Sequence, residues 1–302
     1  MKLFLKYISR FLIFLFTVFL LIVIGNYWLI QLTPINFPYK KNILVLGDSV
    51  SARGVNDKIF KRSVNFSSPA ESYYYSYLKL KKILETKQAI DTILLSFSPH
   101  NIFDNTWFAS QSNIQHNFCR YYPLMSSNDF SYLRLHPKSM IYSLRPIALQ
   151  FLKNIFRKIT RDNVLQLGKF DSTELDEVVA EELQSLEVMG DTCSRLPKDF
   201  NPTNIEITYL NKITQLCRQK ELKLILINLP KHMELLRHKR YGMEEFKKVY
   251  NTEFNQLDYF DFSSMLMEDE MYVDLVHLNK KGSSYFSNFL ESFGWQSFRY
   301  VQ

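Results

Sequence analysis

Cysteine is scarce in this chain. The three present, Cys119, Cys193 and Cys217, are odd in number and widely separated. None stands at a spacing that holds a metal, so a cysteine-built metal centre is excluded. Glycine is low as well, at 8 in 302 residues, and none falls in a phosphate-binding loop. No zinc-finger spacing and no aromatic-basic RNA signature occurs, which argues against nucleic acid as a partner. Internal repeats and low-complexity tracts are also absent from the sequence.

What is present describes a folded protein. The length suffices for one large domain or two small ones, and 46% hydrophobic with 22% charged residues is ordinary for a packed chain. The net charge of +7 is spread along the sequence. Arg157, Lys158 and Arg161 form one basic cluster; Lys231, Arg237, Lys239 and Arg240 form another. Solvated faces are the simpler reading of these clusters, and contact with anionic lipid or an acidic polymer the sharper one. Cys217 falls on the apolar face of an expected helix. Cys119 and Cys193 both lie in the middle segment and could pair if that segment faces an oxidising compartment.

Phe11 to Leu32 is almost wholly apolar, interrupted only by Thr17, Gly25, Asn26 and Gln31. About 20 such residues match the hydrocarbon thickness of a bilayer. Lys2, Lys6 and Arg10 precede the run, which by the positive-inside tendency keeps the amino terminus in the cytoplasm and places the rest outside. A cleaved signal peptide is the competing reading. Val23 and Gly25 form only a weak cleavage site, and the apolar stretch resumes at Tyr27-Trp28-Leu29-Ile30. The expectation is therefore a single-pass anchor in the cytoplasmic (inner) membrane, residues 1–33, with the bilayer as partner for residues 11–32. Pro34 and Pro38 give a short stiff tether to a domain at 34–302.

The body alternates strands and helices. Ile43–Leu46, Ser63–Phe66, Thr92–Phe97, Leu222–Asn228 and Tyr259–Phe262 read as strands, and the first is a continuous apolar run suited to burial on both faces. Glu71–Glu85 has helical character; Asn201 and Pro202 look like the cap and first position of a helix extended by Ile205, Tyr209, Ile213 and Leu216. Gly282–Phe293 reads as the closing helix. Such alternation predicts an α/β fold, a parallel sheet flanked by helices. Between about 104 and 200 the alternation fails. His136-Pro137, Arg145-Pro146, aromatic clusters and an acidic helix near 172–189 mark a mostly helical insertion over the carboxyl ends of the strands, where such folds bind ligands.

Two fragments carry the chemistry. Gly47-Asp48-Ser49 follows the first strand, and Asp274 and His277 stand three apart before the last helix. A serine hydroxyl is a weak nucleophile unless a base lies within hydrogen-bond reach and a third group orients that base. Ser49 would attack, His277 would take its proton, and Asp274 would hold the imidazole. The order Ser…Asp…His is permissible, because a triad is defined by geometry. Each fragment alone also has a plain reading: Asp48 as a helix cap, Ser49 as a turn residue and His277 as a surface side chain.

Leu46-Gly47-Asp48-Ser49, together with Asp274-Leu275-Val276-His277-Leu278-Asn279 and Gly282, resembles the SGNH (GDSL-like) hydrolase superfamily. The resemblance covers roughly residues 42–101 and 201–293. It implies a three-layer α/β/α sandwich, a Ser49, His277 and Asp274 triad, and an oxyanion held by the serine N–H, a glycine N–H and an asparagine side chain. Where the glycine is expected this sequence has Asn65-Phe66-Ser67-Ser68-Pro69-Ala70, with Ser68 nearest. Where Gly-x-Asn-Asp is expected it has Ser98-Pro99-His100-Asn101, so that His100 and Asn101 are the substitutes. Loss of one oxyanion donor typically costs a factor of about 10²–10³ in rate.

His116, His136, His232 and His238 are scattered singly, a pattern of structural or solvated residues and not of metal ligands; no metal and no cofactor is expected. The aromatics Tyr73–Tyr75, Trp107, Phe108, Tyr121 and Tyr122 are expected in a core, with a carbohydrate platform as the alternative for the last four. The resemblance implies an anchored serine esterase or O-acyltransferase working on acyl esters, acetyl foremost, of cell-envelope or exported polysaccharide. Its substrate would be an acylated carbohydrate or other ester, and its partner a membrane component of a polysaccharide-modifying system. A catalytically inactive binding or assembly component with the same fold remains open. So does an unrelated α/β protein in which the motifs coincide.

Overall fold

The computed structural model describes residues 1–302 except 36, 39, 86–88, 104–116, 134–143, 162–166, 173–204, 239–242 and 294–302. The chain divides into two compact units. One comprises Met1–Asn36, Lys82–Thr86 and Thr106–Gln166; the other comprises Phe37–Lys81, Lys87–Asn105 and Leu167–Gln302. In chain order the elements run α1 (Lys2–Gln31), β1 (Ile43–Leu46), α2 (Ser49–Gly54), β2 (Ser63–Asn65), α3 (Tyr73–Ile83), β3 (Thr92–Ser96) and α4 (Pro99–Phe103). They continue with α5 (Ser127–Leu133), α6 (Leu144–Arg161), α7 (Ile205–Gln219), β4 (Lys223–Asn228), α8 (Met233–His238), α9 (Met243–Val249), β5 (Asp258–Asp261) and α10 (Lys280–Ser292).

The second unit is built on one parallel sheet of order β2-β1-β3-β4-β5. This is a doubly wound arrangement, in which the strand order reverses between β1 and β3. Register carries Val45 opposite Leu94 and Leu94 opposite Ile225, so these three share a face. With Ile43 and Ile227 they pack against Val50, Leu275, Leu278, Phe286 and Leu290 in one apolar core. Successive strand residues point to opposite faces. Leu44, Leu46, Ile93, Leu95, Leu224 and Leu226 therefore project the other way, and they too are buried. On that side α7 packs against β4, placing its buried Tyr209, Leu210 and Ile213 inward. Both faces of the sheet are covered by helices, which makes the three layers expected from the alternation. The aliphatic runs tolerate no polar face for the same reason.

Strand positions match the sequence reading to within a residue or so. The paired cap Asn201 and Pro202 and all but the first residue of the acidic helix at 172–189 lie outside the described residues. Helix α6 is the main element the alternation did not foretell. Its Pro146 stands at the third helical position, where the missing N–H is one of those the helix leaves unpaired in any case. Tyr73, Tyr74 and Tyr75 are core residues, as is Cys217. In the first unit Cys119, Tyr121 and Tyr122 are buried as well. Trp107, Phe108 and Cys193, and with it the Cys119–Cys193 pairing, lie outside the described residues.

The turn out of β1 depends on one glycine. Gly47 has φ of +150°, and a Cβ there would stand 2.5 Å from the Ser96 Cβ and 2.9 Å from the Ser51 Oγ. Gly47→Ala should lower stability by more than about 1 kcal/mol, since both the backbone and the packing oppose a side chain. Thermal unfolding checks it: an unchanged Tm would show that the turn can be formed without glycine.

Candidate active site

Every element of the site leaves the carboxyl end of a strand or sits beside one. β1 ends at Leu46, Gly47 turns the chain, and Ser49 is the first residue of α2. Asp48 caps that helix, its Oδ1 accepting from the Val50 N–H at 2.9 Å. As the first helical residue, Ser49 carries one of the backbone N–H groups that have no partner within the helix.

The opposite fragment is a tight loop. Tyr272 and Leu278 form an antiparallel bridge, and the Val273 N–H donates to the His277 carbonyl at 2.9 Å. Inside it, Asp274 Oδ1 accepts from the N–H groups of Val276 and His277, at 2.8 and 2.7 Å. Leu275 and Leu278 are buried in the core and fix the loop from below. The loop is clamped from two further sides. The His232 N–H donates to the Leu275 carbonyl at 3.1 Å, and the Tyr272 hydroxyl donates to the Lys231 carbonyl at 3.1 Å. The start of α10 lies so close that a Cβ at Gly282 would stand 2.1 Å from the Met271 carbonyl oxygen.

The two fragments meet. His277 Nε2 lies 2.8 Å from Ser49 Oγ, and His277 Nδ1 lies 2.7 Å from Asp274 Oδ2. With Nδ1–H donating to the carboxylate, Nε2 is the acceptor for the serine hydroxyl. Burial raises the Asp274 pKa, but hydrogen bonds and charge from His277 and the Val276 and His277 N–H groups outweigh it, and the carboxyl lies below its ordinary value. Arg53, one turn along α2 from Ser49, reaches within 3.9 Å of Asp274 Oδ2. Neither Arg53 nor the clamp at Lys231 and His232 was read as part of the site from sequence, because nothing in their local spacing points to a loop so far along the chain.

The remaining three candidates are engaged elsewhere. The Ser68 N–H donates to the Gly47 carbonyl at 3.0 Å. His100 Nε2 lies 2.5 Å from Asp48 Oδ2, and the Asn101 Nδ2 donates to the same oxygen at 2.8 Å. Asn101 Oδ1 accepts from the Ser98 N–H and hydroxyl, at 3.1 and 2.9 Å. The hub of this cluster is Asp48, a residue sequence reasoning assigned to capping alone. Its identity as the middle of Gly-Asp-Ser was visible, but its second partner comes from β3's exit, more than fifty positions away. Among the described residues no three His, Cys, Asp or Glu side chains converge as metal ligands would. His232 is buried, with Nε2 3.1 Å from Asp269 Oδ1 and its ring against Tyr272, so it braces the loop.

Comparisons with known proteins add little weight. A protein-family model matches residues 173–293, less than half of the chain. No curated protein matches it. Among solved structures, a provisionally assigned acylhydrolase from Bacteroides fragilis is similar at 11% identity and a TM-score of 0.38, over 86% of this chain and 89% of that one. A provisionally assigned platelet activating factor from Streptococcus pneumonia is similar at 12% identity and a TM-score of 0.37, over 96% and 98%. A GDSL-like lipase from Bacteroides thetaiotaomicron is similar at 8% identity and a TM-score of 0.37, over 85% and 90%. At such values the neighbours decide nothing about chemistry, which has to be read from the geometry.

Asp48 has a consequence for acid stability. Burial raises its pKa, but the charge of His100 and hydrogen bonds from His100, Asn101 and the Val50 N–H prevail and hold it well below the carboxylate range. A depressed folded pKa contributes stability in full above the unfolded value of about 3.9, and that contribution is lost as pH falls through the folded value. Asp48→Asn should therefore lower Tm at pH 7, and the gap to the unaltered chain should narrow below about pH 4. A gap that stays constant into acid would show that the carboxylate's charge contributes nothing.

Proposed function

We propose that this chain is a serine esterase or O-acyltransferase of the SGNH hydrolase type, anchored in the cytoplasmic membrane by α1. Its substrates would be acyl esters, acetyl foremost, of cell-envelope or exported polysaccharide. The observation that carries the proposal is the contact of Ser49 Oγ with His277 Nε2 at 2.8 Å, made while Asp274 holds the other ring nitrogen. In the first half-reaction Ser49 Oγ bonds to the acyl carbon as its proton passes to His277 Nε2. The leaving alkoxide then takes that proton, and an acyl-enzyme remains. Water resolves it in an esterase; a sugar hydroxyl resolves it in a transferase, with His277 again accepting the proton. Asp274 stays ionised and stabilises the imidazolium. The Ser49 N–H at the head of α2 is one oxyanion donor. Of the other expected donors the Ser68 N–H is taken up by the Gly47 carbonyl, so His100 and Asn101, released from Asp48, are the candidates for the rest.

The anchor reading has its own support. α1 spans 30 residues with a mean hydropathy of 2.6 over its most apolar window, and that window is not buried by the protein. A helix of this length reaches about 45 Å, ample for a hydrocarbon core of about 30 Å. Gly25 and Asn26 pack inside the first unit, against Phe151, Tyr122 and Asn154, which favours a retained helix over a cleaved leader. Lys2, Lys6 and Arg10 put the amino terminus on the cytoplasmic side and the Ser49 site outside. A membrane partner that delivers the acyl group fits this placement.

A second reading, an inactive binding or assembly component, is favoured by the engagement of His100 and Asn101 with Asp48. The two readings separate on one experiment. The purified full chain in detergent is treated with a fluorophosphonate probe, then assayed on acetylated sugars and simple aryl esters. Labelling should occur and vanish in Ser49→Ala, and Asp274→Asn should lower kcat about 10²–10⁴-fold. No labelling, or labelling that survives Ser49→Ala, would remove the enzymatic reading and leave the binding one.

A further inference from the structure

The first unit contains a helix whose outward face is hard to reconcile with water. Along α6, Leu149, Leu152, Phe156 and Ile159 recur at intervals of three and four and form one stripe. They are 46%, 62%, 67% and 78% exposed, and Ile155 widens the stripe. The opposite side is inward: Ile147, Gln150 and Asn154 are buried. The sequence of α6 holds Arg145, Lys153, Arg157, Lys158 and Arg161 and no acidic residue. An apolar stripe on a helix otherwise rich in Lys and Arg is the pattern of a helix lying in a membrane interface.

The packing places that helix at a definite level of α1. The Asn26 Nδ2 donates to the Tyr122 hydroxyl at 2.9 Å, and the Asn154 Nδ2 donates to Asn26 Oδ1 at 2.7 Å. The Gln150 Nε2 continues the chain of bonds to Asn154 Oδ1 at 2.8 Å. A Cβ on Gly25 would lie 3.1 Å from the Phe151 ring, so the two helices approach closely at that point. Directly beside Gly25 and Asn26 on α1 come Tyr27 and Trp28, both exposed. Tyr and Trp near the end of a spanning helix mark the headgroup level, where their amphipathic rings settle. The middle of α6 therefore crosses α1 at the membrane–water boundary, on the side of α1's carboxyl end.

We propose that α6 is a second membrane element. It lies in the leaflet that α1's carboxyl end enters, with Leu149, Leu152, Phe156 and Ile159 among the acyl chains and its basic residues against anionic headgroups. The occupant of the stripe is lipid, because α6 packs directly on the apolar helix α1 and its charge suits an anionic surface. This rests on α1 being a membrane anchor, and the experiment below separates the two. The consequence is that the first unit would meet the membrane through two helices and not through one.

The test uses the full chain in nanodiscs of phosphatidylcholine and phosphatidylglycerol, with Cys193→Ser as background, Cys119 and Cys217 being buried. Single cysteines at Leu21, Leu152, Phe156 and Glu253 are labelled with an environment-sensitive fluorophore, and lipids carrying a nitroxide on the acyl chain are added. Probes at Leu152 and Phe156 should fall about twofold or more in emission, as should Leu21 in the anchor, whereas Glu253 on the solvent surface should not change. Quenching at Leu21 without quenching at Leu152 and Phe156 would overturn the proposal and leave the anchor standing. No quenching at Leu21 would overturn the anchor, and the proposal with it. Blue-shifted but unquenched emission at Leu152 and Phe156 would mean that protein covers the stripe, most simply a second copy.

Discussion

The hydrogen bond between Ser49 and His277 joins residues 228 positions apart, and nearly everything in the second unit serves to make that possible. Neither partner is held by the bond itself. A contact between a half-exposed hydroxyl and a ring nitrogen has a net worth of only about 1 kcal/mol, far too little to order two distant loops. What orders them is apolar. Ser49 is set by β1, whose four residues are at most 2% exposed, and by Val50 beneath it. His277 is set by Leu275 and Leu278, which share a core with Val50, Phe286 and Leu290. The same hydrophobic cluster therefore reaches up under both fragments, and the polar contact forms between parts that are already in position.

Asp48 ties a third fragment into this arrangement. One oxygen caps α2 while the other receives His100 and Asn101, so a single carboxylate links the exits of β1 and β3. These two strands flank the reversal of strand order, where a crevice opens in a doubly wound sheet. A carboxylate so placed costs free energy to bury and is tolerated because Oδ1 accepts from the Val50 N–H and Oδ2 from His100 and Asn101. The arrangement also fixes where α4 begins. It holds His100 and Asn101 in a defined orientation, turned toward Asp48.

Much of the fold could be read from the sequence because parallel strands buried on both faces are conspicuous. Ile43–Leu46 and Leu224–Ile227 have no polar alternation to confuse them with helix or edge strand. Strand order could not be read directly, since it depends on which helix packs on which face. The meeting of Ser49 with His277 was legible through two short motifs at the right places, after the first strand and before the last helix. What stayed hidden were contacts that join exits of different strands, such as Asp48 with His100 and His232 with Leu275. No periodicity encodes them. α6 was missed for a different reason: Pro146 and five cations obscured a stripe of Leu, Ile and Phe that only the three-dimensional exposure brings out.

The buried amides Asn26, Gln150 and Asn154 are the least expected residues of the first unit, and the proposed membrane setting gives them a reason. Between two helices in water, apolar burial would supply the adhesion and amides would weaken it. Between helices whose outward faces meet acyl chains there is little such gain, because lipid is as apolar as leucine. Association then rests on close approach, which Gly25 permits against Phe151, and on side-chain hydrogen bonds, which Asn26, Asn154 and Gln150 supply in series. The same amides also fix register, since sliding α6 by one turn along α1 would separate Asn26 Oδ1 from the Asn154 amide that donates to it. A polar chain at the boundary level and an apolar stripe facing outward are thus two results of one solvent.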